Sequence, residues 1–163
     1  MPAKPGLFQE SPPALFNQGL YEISSTQKHR LGTVRRLDDG RVFYYARAGA
    51  ANLAAGVLCQ SEVPGSNYNE LVVATAPAVG DTSIVLTNYS SAITANMFKD
   101  GYAVGNKGNS VGHVYKIRGN TAAAGGATVT IYLYDSIRAA GASGDEYTLV
   151  KNPFDSVIIH PSP

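Results

Sequence analysis

Runs of β-favouring residues, each soon stopped by Gly, Pro, Asn or Asp, constrain this chain more than any other feature. Residues 127–134 alternate most cleanly: Ala127, Val129, Ile131 and Leu133 share one face, Thr128, Thr130, Tyr132 and Tyr134 the other. That period of two is a strand with one face turned to a core. Residues 111–118 place Val111, His113, Tyr115 and Ile117 one way and Lys116 and Arg118 the other. Residues 21–26, 56–62, 70–74, 83–87, 147–150 and 157–160 are further strand candidates. Many short strands with Gly-rich turns predict an all-β fold, a compact β-sandwich or a small β-barrel. Little helix is expected. Only residues 91–98 offer it, with Ile93, Met97 and Phe98 at helical spacing. Residues 101–110 read as a flexible loop.

Asp39-Gly40 lies between two β-rich stretches, 31–37 and 41–48, the strongest short-range hairpin signal. A two-residue turn there sets Asp38 opposite Arg41, Arg36 opposite Phe43 and Val34 opposite Tyr45. Leu37 with Val42 and Arg35 with Tyr44 fall on the other face. Neither face is cleanly apolar. Such a hairpin suits contacts on both sides, with arginine planes over tyrosine rings. Lys28, Arg30, Arg35, Arg36, Arg41 and Arg47 crowd this region against Asp38 and Asp39. They form either a patch for an acidic partner surface or the solvated side of the hairpin.

Residues 1–20 differ from the rest. Pro2, Pro5, Pro12 and Pro13 forbid regular structure there, yet Leu7, Phe8, Leu15 and Phe16 are apolar. The stretch reads as an extended proline-rich arm laid along a partner, or folded back on its own domain. Residues 21–163 read as a single β-rich domain.

Ala78-Val79-Gly80-Asp81 and Ala142-Ser143-Gly144-Asp145 echo one another, each launching a short strand that ends at Asn. Similar turns produce such an echo without duplication of a domain.

Composition narrows function. Of 163 residues, 15% are charged, below the usual roughly 25%, and the net charge is +1. Nucleic acid is therefore not an expected partner, because gripping it takes a basic excess. No apolar run approaches the roughly 20 residues of a membrane-spanning helix, so no membrane partner is expected. Met1 to Gly6 lack the apolar run of a signal peptide. Low charge with abundant small residues suits a surface packed against neighbours.

Chemistry has few carriers. His29, His113 and His160 show no ligand spacing, so neither a metal nor another cofactor is expected. His113 reads as a satisfied core or interface histidine. Cys59, beside Val57 and Leu58, reads as a buried small hydrophobe. No nucleophile elbow is present, and Asn106 stands where a phosphate loop needs lysine. The chain is not expected to be an enzyme.

Four phrases together carry a resemblance: residues 27–33 (Gln-Lys-His-Arg-Leu-Gly-Thr), 39–49 (Asp-Gly-Arg-Val-Phe-Tyr-Tyr-Ala-Arg-Ala-Gly), 93–102 (Ile-Thr-Ala-Asn-Met-Phe-Lys-Asp-Gly-Tyr) and 144–154 (Gly-Asp-Glu-Tyr-Thr-Leu-Val-Lys-Asn-Pro-Phe). They resemble small structural proteins of tailed bacteriophages, of the kind that decorate or cement the head. The resemblance spans roughly residues 20–160. It implies a non-enzymatic, mainly β protein, made in the bacterial host cytoplasm and bound to the outer surface of the capsid. Its implied partners are the major capsid protein and itself, as a homotrimer. The candidate contacts are Leu7, Phe8, Leu15 and Phe16 of the arm, and Arg35, Arg36, Arg41, Tyr44 and Arg47 of the hairpin region. A different virion part is the alternative: a head fibre base, or a tail or receptor-binding β-domain.

Overall fold

The computed structural model describes residues 18–160, apart from 55, 64 and 90. It holds ten strands: β1 (Val34–Arg36), β2 (Val42–Tyr44), β3 (Cys59–Gln60), β4 (Leu71–Thr75), β5 (Ser83–Thr87), β6 (Tyr102–Lys107), β7 (Val114–Asn120), β8 (Thr128–Leu133), β9 (Glu146–Val150) and β10 (Ile158–Ile159). The fold is all-β. The only helical pieces among the described residues are single 3₁₀ turns at Ser66–Tyr68 and Gly108–Ser110.

Six strands close into an antiparallel barrel in the order β4-β5-β8-β7-β6-β9, so the barrel alternative is the one realised. Strands β6, β7 and β8 follow one another as neighbours, and β9 returns beside β6. That is a Greek key. β9 also pairs with β4 (Leu71 opposite Tyr147), which shuts the barrel. Closing a sheet bends its strands, and irregular register marks the bends at Val73/Thr75, Gly105/Lys107 and Ile117/Gly119.

Alternation decides the interior. Val129, Ile131 and Leu133 are buried, as the pattern of β8 predicts, and Tyr115 and Ile117 of β7 join them. Ala127 lies outside β8 and is exposed, and Val111 is exposed too, because the chain turns at Gly112 before β7 begins. Tyr115 and Tyr147 are the largest buried side chains. β6, which the sequence disguised as a loop, turns Ala103 and Gly105 inward. Ala103 pairs with Tyr115, and Gly105 is kept small by a close stretch of backbone. At Gly105 a Cβ would lie 2.1 Å from the Ser110 carbonyl oxygen.

Residues 91–98 form no helix. Ile93 bridges to Ala123, and tight turns follow with Asn96 at φ 60° and Asp100 at φ 62°. Ile93 and Phe98 are still buried. Asparagine side chains capture the backbone groups a helix would use. Asn120 Oδ1 accepts from Phe98 N–H at 2.9 Å, and its Nδ2 donates to the Thr94 carbonyl at 2.9 Å. Asn88 Nδ2 donates to the Ser91 carbonyl at 2.6 Å. Residues 21–26 form no strand either, and Tyr21 and Ile23 project into solvent.

The two Ala-x-Gly-Asp phrases make the same turn. In each the aspartate N–H donates to the alanine carbonyl at 3.2 Å, and the alanine N–H donates to the aspartate Oδ2, at 2.8 Å for Ala78 and 3.0 Å for Ala142. Gly80 and Gly144 stand at φ 96° and 94°, a region that favours glycine. The echo is thus two copies of one reciprocal cap, each ahead of a barrel strand.

Candidate docking surface

Residues 18–60 lie against one end of the barrel with little regular structure of their own. A buried polar node ties them down. Asp100 is fully buried, and its carboxylate accepts from Leu31 N–H (3.4 Å), Gln27 Nε2 (3.3 Å) and the Tyr134 hydroxyl (3.3 Å). Asn152 Nδ2 donates to the carbonyls of Asp100 (2.8 Å) and Leu31 (3.2 Å), and Lys116 Nζ also donates to the Asp100 carbonyl. A buried carboxylate requires such partners. Burial, with the negative charge of Asp100 beside it, pushes the Tyr134 hydroxyl pKa up. The Arg30 guanidinium lies 4.2 Å from the Tyr134 ring centre.

From this anchored segment the β1–β2 hairpin projects. Its register is one residue away from the sequence expectation: Val34 pairs with Tyr44, Arg35 with Phe43 and Arg36 with Val42. The loop is Asp38-Asp39-Gly40, three residues rather than two. Leu37 N–H donates to the Arg41 carbonyl at 2.9 Å, and Gly40 sits at φ 87°. A two-residue turn of the expected type needs positive φ at Asp39 too. Asp39 instead keeps a negative φ and accepts the Arg41 N–H on its side chain at 3.0 Å.

This shift re-sorts the two faces. Val34, Arg36, Val42 and Tyr44 share the outward face, so that face is more apolar than expected. Val34 and Val42 are each 38% exposed and Tyr44 is 52% exposed. The Tyr44 ring stacks on Phe154, with centres 4.8 Å apart and planes 9° apart, so the aromatic surface continues from the hairpin onto the body. Arg35 and Phe43 share the half-buried inner face, where Arg35 Nη1 donates to the Gln18 carbonyl at 3.4 Å.

The expected contact residues therefore divide. Arg36 and Tyr44 come together on the outward face. Arg41 is held in the turn by Asp39 at 2.7 Å, which lowers the Asp39 pKa and raises that of Arg41. Arg47 grips Asp155 with two bonds, 2.6 and 2.7 Å, and is engaged within the molecule. Leu7, Phe8, Leu15 and Phe16 lie outside the described residues.

Cys59 is exposed in the β3–β10 ribbon rather than buried. A two-residue strand at the edge of the fold has no second layer above it. His113 is half-buried and stacks near-parallel to Tyr115 at 6.0 Å. Among the described residues, no group of three or more His, Cys, Asp or Glu could hold a metal ion.

Sequence reading missed a groove of about 570 Å³ between residues 61–69 and the paired strands β6 and β9. The pair Tyr68–Phe98, edge to face at 5.0 Å, lines it, together with Met97, Tyr102, Leu149, Val150 and Pro153. The ion pair Lys151–Glu62 (2.8 Å) stands among its walls. Tyr102 and Val150 lie opposite one another on the outer faces of β6 and β9. Only a recognised β6 would have disclosed that neighbourhood. No family model matches the chain, and no curated protein or solved structure matches it.

Proposed function

We propose that this chain is a non-enzymatic virion structural protein that attaches to the outer surface of a phage capsid and stabilises the contacts between capsomers. The observation that carries this reading is the outward hairpin face. Val34, Val42 and Tyr44 lie partly exposed side by side on the outer face of the β1–β2 ribbon, flanked by the Arg36 cation. Exposed apolar side chains gathered on one projecting element mark an interaction site. A face that carries a Tyr and an Arg has the composition of an interface hot spot. In this reading the capsid partner presents an apolar hollow rimmed by carboxylates. The N-terminal arm adds Leu7, Phe8, Leu15 and Phe16, and three copies gather at a local three-fold position.

The test is decoration of purified heads lacking this chain. Tyr44→Glu and Val42→Glu, each made alone, should weaken binding by about 30-fold or more, the loss of a hot spot of at least roughly 2 kcal/mol. Deleting residues 1–18 should also release the protein from heads. Full decoration by all three variants would refute the reading. Copies placed about two-fold axes would refute the trimer alone.

A further inference from the structure

Several cations of this chain are spent inside the molecule. Arg41 pairs with Asp39, Arg47 with Asp155, Lys107 with Glu146 and Lys151 with Glu62. Lys116 is held by the Asp100 carbonyl. Arg30 and Arg118 differ. Both are exposed, and among the described residues neither guanidinium forms an ion pair or donates to an oxygen acceptor. Each lies over a tyrosine ring instead, Arg30 at 4.2 Å from the Tyr134 ring centre and Arg118 at 6.0 Å from that of Tyr132.

Those two rings are neighbours. Tyr132 and Tyr134 flank the buried Leu133, so both leave the strand away from the barrel interior, about 7 Å apart along the chain. The fold thereby brings together two guanidiniums that the sequence keeps far apart. Burial and the Asp100 carboxylate push the Tyr134 pKa up, and the charges of Arg30 and Arg118 both act against that rise, so both cations are felt at one hydroxyl.

Each arginine is also fixed at its backbone. The Arg30 carbonyl accepts from Thr33 N–H at 3.1 Å and from Thr33 Oγ1 at 2.7 Å, and the next residue, Leu31, is buried with its N–H on Asp100. Arg118 is the extra residue where β7 shifts register against β8, between the pairs Ile117–Leu133 and Gly119–Tyr132. A bulge of this kind re-aims a side chain. Beside it, Gly119 is packed so closely that a Cβ would lie 2.6 Å from Asn96 Oδ1.

Stacking on a ring occupies the face of a guanidinium and leaves its N–H edge unspent. A carboxylate or a phosphodiester offers two free oxygens and one charge, which a single guanidinium fork satisfies. A terminal phosphate offers three oxygens and close to two charges, enough to engage a second fork. We propose that Arg30 and Arg118 form a binding site for a terminal phosphate group, that of a phosphate monoester, on the outer side of the barrel. The rings of Tyr134 and Tyr132 aim the two forks. The site lies apart from the hairpin face and does not rest on the role assigned to that face.

Magnetic resonance titrations of the full chain, slightly above neutral pH and at constant ionic strength, test it. Inorganic phosphate should move the side-chain Nε–H signals of Arg30 and Arg118 together, with one Kd in the millimolar range. Glycerol 1-phosphate should match it, whereas dimethyl phosphate and acetate should bind about tenfold more weakly or worse. Arg30→Gln and Arg118→Gln, each made alone, should weaken phosphate binding about tenfold, and Arg138→Gln should leave it unchanged. Tyr132→Leu keeps every charge and should weaken it about threefold, because Arg118 loses its ring. Equal affinity for every anion would overturn the proposal and reduce the pair to ordinary surface charge. So would phosphate binding that Arg118→Gln leaves intact, or arginine signals that stay still at tens of millimolar phosphate.

Discussion

At the scale of single residues, burial makes the two ends of an ion pair unequal. Asp155 is 3% exposed and Arg47 is 54% exposed, although they share two short bonds. Removing the arginine strands a buried carboxylate, whereas removing the carboxylate leaves a cation that can turn to water. Arg47→Ala is therefore expected to cost about 3 kcal/mol, and Asp155→Asn about 1 kcal/mol, by urea denaturation. Equal losses would mean that Asp155 reaches solvent once its partner is gone. Tyr147 provides a second residue-scale test. Burial pushes its pKa above the ordinary 10.0. The unfolded chain then ionises first as pH rises, so the stability held through the neutral phenol is full below about pH 10 and is lost as pH climbs through the folded value. Difference absorbance of tyrosinate should show Tyr147→Phe removing a phenol that titrates late, with the early-titrating tyrosines unchanged.

At the scale of elements, the two reciprocal Gly-Asp turns are the sharpest comparison within the chain. Both bond the same backbone groups, but Asp145 is buried and Asp81 is exposed. Asp145 also lies against Gly108, where an added Cβ would come within 1.8 Å of its Oδ1. Asp81→Ala should cost about 1 kcal/mol and Asp145→Ala about 2 kcal/mol, with asparagine restoring part of each. Matching midpoints for the two alanine variants in urea would show that burial adds nothing to the turn. Elements were legible in the sequence where aliphatic residues face inward. β5 and β8 follow the expected spans closely: in β8 Val129, Ile131 and Leu133 alternate with Thr128, Thr130 and Tyr132, and in β5 a β-branched and aliphatic run is bounded by Ser83 and Thr87. β6 was not legible, because its inward positions are an alanine and a glycine, small residues that read as loop, and the glycine is set by the Ser110 backbone folded against it. The hairpin was legible but its register was not. The choice between a two- and a three-residue loop rests on one aspartate side chain. The same slip concealed the outward cluster of Val34, Val42 and Tyr44, so the candidate surface was only half visible through Arg36 and Tyr44.

At the scale of the whole molecule, closure leaves the barrel without a free edge. The open strand edges belong to the short ribbons β1–β2 and β3–β10. Short edges resist uncontrolled pairing with other chains. Backbone pairing with another chain along the barrel is thereby closed off.

Barrel closure also sets a timetable for synthesis. β9 fills the gap between β4 and β6, and it is the last barrel strand to leave the ribosome. Until Val150 has emerged, β4 and β6 each present an unpaired edge, and Leu71 and Ala103 lack the strand that covers them. A Greek key with its final strand still unmade cannot be completed by local contacts, so folding waits for nearly the whole chain. A nascent chain stalled at Gly144 should remain sensitive to protease along β4 to β8, and one stalled late enough to expose residue 160 should resist it. The newborn protein thus passes through a sticky interval that its finished form conceals.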